Sequence, residues 1–353
     1  MGLARGGAKA WLRRLITWTA LAYLVSLVLV VILLYAVGEH WWVTAVVLYL
    51  PRIVFAAPLP LIGLALWRSG LTRLLWTQIA AAIVLLFPLM GFVLPRPVFA
   101  KEDQPKVRVL SYNVNSEWNG PQEIVAEIDR FSPDVVLLQE VSRAADLVRL
   151  LAPQYPHTRE WGQFLAASRL PIRSASHPDN FPFRGESRTA RASQQLIDTP
   201  LGPIAFYNVH PLSPRGALYR LRGAGLRREI LSGRLLAGQK STDMDSNDEL
   251  REAEVRAFSQ MANRDIYPVV IAGDMNLPGL SRTFHTYLSA YGDGFREAGW
   301  GFGYTFPTDK LGPWMRLDRI LASEQLQFID FHIGRSTVSD HHCVVADLQR
   351  KIP

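Results

Sequence analysis

The sequence predicts an α+β protein, a two-sheet α/β sandwich preceded by three transmembrane helices. Three observations carry this reading. The 353-residue chain divides by composition: its first hundred residues hold eight of the 38 Lys and Arg but one of the 31 Asp and Glu, and they contain long uncharged runs. Beyond residue 106 the pattern changes to many short strand-like runs with few helical segments between them, which favours two packed sheets over a doubly wound one. Several of those runs end on a carboxylate, an amide or an imidazole.

Residues 18–37 carry no charge and, at ~1.5 Å per residue, are long enough for about 30 Å of hydrocarbon. Residues 74–94 form another such run. Between them, residues 41–67 are apolar except at Pro51-Arg52 and carry Pro58 and Pro60, which predicts a kinked helix. The first run is too long for the core of a cleaved signal peptide, and Gly38-Glu39-His40 is a poor cleavage site. Arg5, Lys9, Arg13 and Arg14 precede the first helix, and Arg68 and Arg73 separate the second from the third, whereas the Glu39-His40 loop has neither Lys nor Arg. This bias predicts a multi-pass protein of the cell (inner) membrane, with a cytoplasmic N-terminus and everything from residue 95 onward outside the cytoplasm. Trp41, Trp42 and Trp67 are expected as interfacial anchors. Arg52 has two readings: a charge kept at mid-depth for a function such as substrate binding, or one that reaches water through a broken helix.

The formal charge of +7 belongs to the first hundred residues, with the membrane domain at 1–94; the rest of the chain is balanced. The basic balance therefore points to a membrane rather than to nucleic acid. The single Cys343 excludes an intrachain disulfide framework. Residues 95–106, proline-containing and polar, read as a linker to a second domain at 107–349.

In that domain residues 107–114 predict a strand, 121–131 a helix with Pro121 in its first turn, and "SPDVVLLQEV" a turn and a buried strand ending at Gln139-Glu140. Ser142 is an expected N-cap for a helix running to about residue 151. Further strands are expected at 164–168, 194–198, 204–210, 268–274, 316–322, 328–333 and 344–348, with one clear helix at 250–263. Residues 213–249 fit this plan least and read as an insertion, both basic and apolar: a surface subdomain, or a substrate-facing or bilayer-facing cover in which Arg215 and Arg220 bind substrate. "GFGYTFP", residues 301–307, either lines a cleft or is a packed turn.

The strand ends bring together Asn113, Glu140, His210, Asp274 and Asn276, with Asp318 inside "MRLDRIL" and Asp340-His341 after "STVS". Adjacent strands lie about 4.8 Å apart, so their ends can converge on one cleft. Carboxylates gathered there repel one another unless a cation holds them, and an oxygen-rich set suits Mg²⁺ or Mn²⁺ over zinc. A zinc cluster at His342-Cys343 has no partner cysteine, and Cys343 is expected in the core. The plainer alternatives are a core role for His210 and an arginine partner for Asp318.

In this set the second domain resembles the endonuclease/exonuclease/phosphatase superfamily, with its DNase I-like fold, over roughly residues 107–349. The matching pieces, in the superfamily's order, are "SYNV", "LLQEV", "YNVHPL", "AGDMN", "RLDRIL" and "SDHH". The resemblance implies a phosphoester hydrolase in which Glu140, with Asp340 and assisted by Asn113, holds Mg²⁺ or Mn²⁺ against a phosphate oxygen. It implies His341 as the general base with Asp318 orienting its far ring nitrogen, Asp274 positioning the water or serving the leaving group, and Asn276 and His210 donating to non-bridging oxygens.

The expected partners are the lipid bilayer and a phosphoester substrate: a lipid headgroup or other membrane-associated phosphodiester or phosphomonoester, or else extracytoplasmic DNA cut by a tethered nuclease. Nothing in the sequence points to a protein partner. A catalytically inactive binding module is the reading from another class, and none of the matched residues is missing.

Overall fold

The computed structural model describes residues 2–97, 100–101, 103–220, 242–310 and 312–351. Two six-stranded sheets of mixed direction lie at its centre. One runs, edge to edge, through Leu326–Ile333, Val344–Arg350, Val107–Asn113, Val135–Gln139, Phe164–Ser168 and His157–Trp161. The other runs through Gly292–Asp293, Asp318–Ala322, Val269–Asp274, Gly202–Val209, Ala192–Thr199 and Ile172–Ser176.

Period-two alternation explains the layers. Val107, Val109, Val135 and Leu137 meet Phe206, Val270, Ala272 and Ile320 between the sheets. The opposite faces are covered as well. Leu110, Tyr112, Val136 and Leu138 pack on Ile124, Ile128, Leu147 and Leu151, and Tyr207, Val209 and Ile271 pack on Val255, Phe258 and Phe284. Central strands covered on both faces read as unbroken apolar runs, which is why residues 269–272 contain no polar residue. Burying each such side chain is worth about 1.5–3 kcal/mol. A polar bridge crosses the inter-sheet core: Gln139 Nε2 donates to Asn208 Oδ1 at 2.7 Å, and Asn208 Nδ2 to the Leu138 carbonyl at 3.0 Å.

The helical half comprises α1 (Gly2–Ala36), α2 (Trp42–Tyr49), α3 (Pro58–Arg68) and α4 (Leu75–Val84), the last continuing through a π turn at Leu85–Leu89. Two helical stretches, 9–36 and 72–89, are long and apolar enough to cross a membrane. The second expected helix is instead a pair, α2 and the segment from Arg52 through α3, bent by 92°. Pro51 lacks an N–H and disfavours helical geometry at Leu50, which is extended (φ −76°, ψ 152°). Arg52 is turned inward at this break. It donates to the Leu89 carbonyl at 2.8 Å and the Leu48 carbonyl at 3.2 Å, capping two helix ends.

Three local expectations change. Ser142 is not the N-cap of Ala144–Leu151, a place taken by Arg143; its Oγ donates instead to Glu117 and the Ser116 carbonyl. Trp42 is buried against Ala217, so it is no bilayer anchor, whereas Trp67 is exposed. The helix expected at 250–263 begins earlier, as Thr242–Asn263, inside the expected insertion. The other described helix of that insertion is Arg215–Arg220; the side chain of Arg220 and residues 221–241 lie outside the described residues.

The helical half is docked on the sandwich by specific contacts. Glu39 receives the Ser281 hydroxyl and the Arg282 N–H at the start of the helix Arg282–Leu288, where a carboxylate suits the positive helix end. Gly38 lies against Arg282 with φ +53°, and a Cβ there would meet the Arg282 Cβ at 2.8 Å. Tyr304 donates to the Met90 carbonyl at 3.0 Å, Trp314 to the Tyr49 carbonyl at 3.2 Å, and Val93 pairs with Gly301. Leu27, Leu34, Leu48 and Leu89 share one core with Leu280, Met315 and Leu317.

Candidate active site

The strand register gathers the site. Asn113 is paired in parallel with Gln139, and Gly273 with Val209, so four strands end side by side where Glu140, His210 and Asp274 emerge. Asp318 faces Asp274 across an antiparallel pair and begins its own strand at the same end. Gly273 makes the close approach possible: a Cβ there would lie 1.9 Å from the Val209 carbonyl oxygen. Two residues that leave these strands, Glu140 (φ +55°) and Asn276 (φ +50°), are left-handed without being glycine. Such strain persists where surrounding contacts impose it, and it clusters at functional sites.

The contacts here are dense. Asn113 Nδ2 donates to Glu140 Oε1 and to Asp274 Oδ2, each at 3.1 Å, while its Oδ1 accepts the Asn115 N–H. Asp274 Oδ1 accepts the Asn276 N–H at 2.9 Å, and Asn276 Nδ2 donates to the Pro211 carbonyl at 3.0 Å. His341 Nδ1 lies 2.9 Å from Asp318 Oδ2, and its Nε2 lies 3.5 Å from Asp274 Oδ2. His210 Nδ1 lies 2.9 Å from Gln163 Oε1, which leaves Nε2 at 3.3 Å from Glu140 and 3.5 Å from Asp274. That buried Nε2 has no hydrogen-bond partner among the described residues. Asp340 Oδ2 is held by Arg215 Nη2 at 2.9 Å, with the guanidinium over the Phe306 ring.

These arrangements set the charges. Burial opposes ionisation of Asp274, but His341 and His210 outweigh it and hold the carboxyl well below its usual range. Burial likewise opposes charging His341, but Asp318 and Asp274 raise its pKa from 6.5 to about 10. Asp274, Asp318 and His341 also lie close enough together to hold a metal ion. Since Asp318 already occupies Nδ1, the geometry of that trio is first that of an oriented imidazole beside a second carboxylate.

A cleft of about 530 Å³ opens over this arrangement. Glu140, Asp274, Asn276, Asp340, His341 and Arg215 contribute its polar lining. Tyr49, Leu218, Phe306, Trp314, Met315 and Leu317 contribute an apolar lining, and these six belong to the core cluster shared with the helical half. The 301–307 loop therefore does two things. Phe306 and Pro307 line the cleft, and Phe302 and Tyr304 reach Phe92 and Met90 of the helical half.

The structure thus brings together Asn113, Glu140, His210, Asp274, Asn276, Asp318, Asp340, His341 and Arg215. Arg52 is spent on helix carbonyls and is not part of the cleft lining. Cys343 is buried in the outer core and His342 faces the Ser336 carbonyl, so neither contributes to the cleft. Supporting residues were missed. Glu117 accepts the N–H groups of Ser142 and Arg143, and the Ser116 N–H donates to the Glu140 carbonyl; both fix the turn that carries Glu140. Thr305 Oγ1 accepts the Asp318 N–H, and Ser339 Oγ donates to the Asn113 carbonyl. Gln163 and Tyr49 were missed as well. Only Ser339, beside "DHH", carried a local signal; the others act across long sequence separations.

Residues 110–341 match the sequence profile of the Endonuclease/Exonuclease/phosphatase family. Among solved structures, similar ones include an endonuclease/exonuclease/phosphatase family protein from Bacteroides thetaiotaomicron (TM-score 0.51, 15% identity, 71% of this chain and 100% of that one). Another is the endonuclease/exonuclease/phosphatase from Bacteroides vulgatus (TM-score 0.50, 16% identity, 70% and 99%). A third is humanized D. rerio TDP2 (TM-score 0.50, 15% identity, 69% and 99%). At these identities the likeness is one of fold. No curated protein gives a significant match. With the family profile spanning the strand ends that build the cleft, the chain belongs to the endonuclease/exonuclease/phosphatase family.

Proposed function

We propose that this chain is a divalent-metal-dependent phosphoester hydrolase, held in a membrane by its N-terminal helices with residues 107–349 outside the cytoplasm, acting on a phosphoester at the bilayer surface such as a lipid headgroup. The observation that carries the reading is the cleft itself. Its polar lining has the groups that phosphoester hydrolysis needs, and its apolar lining is continuous with the helical half. Members of the family are generally phosphoester hydrolases and typically depend on a divalent metal. No matched residue is replaced, which supports an active enzyme over a binding module.

The donor set fits such an ion. Two carboxylates meet at Asn113, and a buried, unpartnered imidazole nitrogen faces both. Glu140 is the first ligand this geometry favours, oriented by Asn113, with Asp274 the nearest second carboxylate and Asp340 available when Arg215 releases it. The oxygen-rich set suits Mg²⁺ or Mn²⁺. When bound, the ion supplies Lewis acidity to a phosphate oxygen and neutralises charge.

The chain's own groups divide the remaining work. Asp318 holds the Nδ1 proton of His341, so in its neutral form the imidazole accepts a proton from water at Nε2, the nitrogen near Asp274. Asp274 positions that water. The Asn276 amide spends one N–H on Pro211 and keeps one for a non-bridging oxygen, and His210 donates beside it. Arg215, on the rim over Phe306, offers a cation to the anionic substrate. Two helices long enough to cross a membrane, with the bent pair between them as a third crossing, the Lys/Arg bias and the exposed Trp300 beside the Val93–Gly301 pairing support the location.

The test assays the full-length chain in detergent, with Mg²⁺ or with EDTA, against phospholipid, plasmid DNA and bis(4-nitrophenyl) phosphate. Metal-dependent hydrolysis of phospholipid is expected. Efficient cutting of DNA with phospholipid untouched would replace this substrate with nucleic acid, and no metal-dependent turnover of any of the three would overturn the hydrolase reading.

A further inference from the structure

We infer that Tyr49, at the end of α2 in the helical half, is a positioning residue for the active site, so that the helices are a working part of the catalytic machinery and not only its tether. The kinetic side of this rests on the phosphoesterase reading; the structural coupling does not.

The buried Tyr49 hydroxyl donates to the carbonyl oxygen of Asn276 at 2.9 Å, across 227 residues of sequence. That carbonyl belongs to one of the strained left-handed residues of the cleft. Asn276 is thereby fixed at three points by three parts of the chain. Its N–H goes to Asp274, its side-chain amide to the Pro211 carbonyl and its carbonyl to Tyr49. The first two lie within the sandwich, and the third alone comes from the helices. A left-handed Asn pays a conformational cost that its contacts must cover, so removing one anchor lets the turn relax and carries the Asn276 amide away from the cleft.

Tyr49 is itself held firmly. Its carbonyl accepts the Trp314 indole N–H at 3.2 Å, and the preceding Leu48 carbonyl accepts Arg52. Its ring lies 5.9 Å from the guanidinium carbon of Arg251, a fully buried arginine paired with Asp248. The bend after Tyr49 gives this chain position its place. Because α2 stops at Leu50-Pro51, its last side chain is delivered beside the cleft, of which Tyr49 is a lining residue. Arg52 acquires a role in the same frame: it ties the end of α2 to the end of the fourth helix, which itself reaches the sandwich through Met90 and Val93.

The test uses the full-length chain in lipid nanodiscs with Tyr49→Phe, which removes the hydroxyl and keeps the ring on Arg251, and Trp67→Ala on the exposed part of α3 as control. Steady-state kinetics on bis(4-nitrophenyl) phosphate, thermal unfolding, and hydrogen–deuterium exchange over 274–280 are read on each. Tyr49→Phe is expected to lower kcat about tenfold or more, with KM and Tm unchanged and faster exchange confined to 274–280; Trp67→Ala should match wild type. A kcat within twofold of wild type would overturn the assignment. So would a loss that follows a fall in Tm and recovers on cooling, since that marks general stability. If the wild-type chain hydrolyses nothing, the phosphoesterase reading has failed separately, and the exchange data still decide: local acceleration supports the coupling and unchanged exchange over 274–280 refutes it.

Discussion

The two linings of the cleft have opposite origins. The polar one is made at strand ends that parallel and antiparallel register forces together, so its residues sit in short motifs and act within one domain. The apolar one is made where two halves of the chain meet: Tyr49 arrives from a broken helix, Leu218 from the helix Arg215–Arg220, and Phe306 and Trp314 from a long loop. What the difference teaches is a division of labour. On the proposed function, bond-breaking falls to groups whose spacing the sheets fix, one of them steadied by Tyr49 from the helices, whereas the rest of the apolar lining, whose shape depends on how the halves dock, bears on substrate choice.

That comparison breaks first if the polar lining proves dispensable. Glu140→Ala and His341→Ala should each lower kcat by about 10²–10⁴, with circular dichroism close to wild type in both; Tm should hold for Glu140→Ala, at the open cleft, and fall for His341→Ala, which leaves the buried Asp318 without its partner. Turnover near wild type in either variant at low Mg²⁺ would remove that residue from the mechanism. Asp318→Asn should cost less than His341→Ala. The double variant should lose much less than the product of the single losses, since the pair acts as a unit. Multiplicative losses in a double-mutant cycle would mean that the 2.9 Å contact does not serve catalysis.

A titration sharpens the account without using activity. In metal-free protein His341 should titrate near pH 10, held up by Asp318 and Asp274 against its burial. Adding Mg²⁺ should lower that midpoint by partly cancelling the carboxylate charge; imidazole NMR shifts read both. The stability consequence has a definite sign. The raised His341 contributes stability that is full below pH 6.5 and lost as pH rises through about 10. The depressed Asp274 contributes stability present above its ordinary value of 3.8 and lost as pH falls below it. A His341 midpoint at or below 6.5 in the metal-free state would contradict the geometry. The smallest effect belongs to the exposed rim: Arg215→Ala should raise KM several-fold on an anionic substrate, less so at high salt, with kcat little changed.

Much of this was legible in the sequence for identifiable reasons. Residues 269–274 announced a central strand because both of its faces are buried, and the polar residues at strand ends were readable because nothing in packing calls for them there. Glycine 273 carried more than a turn preference: only a hydrogen in place of Cβ fits against Val209. Short or exposed strands were not legible. His157–Trp161, Ile172–Ser176 and Glu186–Arg188 are mostly polar and partly exposed edge or ribbon elements with weak alternation. Arg52 stood open between two readings; the break of one of them is present, but the side chain turns to carbonyls and not to water, because sequence gives depth along a helix but not which carbonyls a break leaves open. Tyr49 was out of reach for the same reason that makes it informative: its partner is 227 residues away, and no local pattern encodes a hydrogen bond to a main-chain carbonyl.

The central claim is that these two linings together process a phosphoester presented at a membrane surface. Surface-dilution kinetics test it most directly. The full-length chain is incubated with Mg²⁺ and phospholipid in mixed micelles, and the mole fraction of phospholipid in the micelle is varied at constant bulk concentration. The account predicts turnover that rises with surface mole fraction and disappears in His341→Ala. Absence of phospholipid turnover at every mole fraction, while the same preparation cuts plasmid DNA, would contradict it.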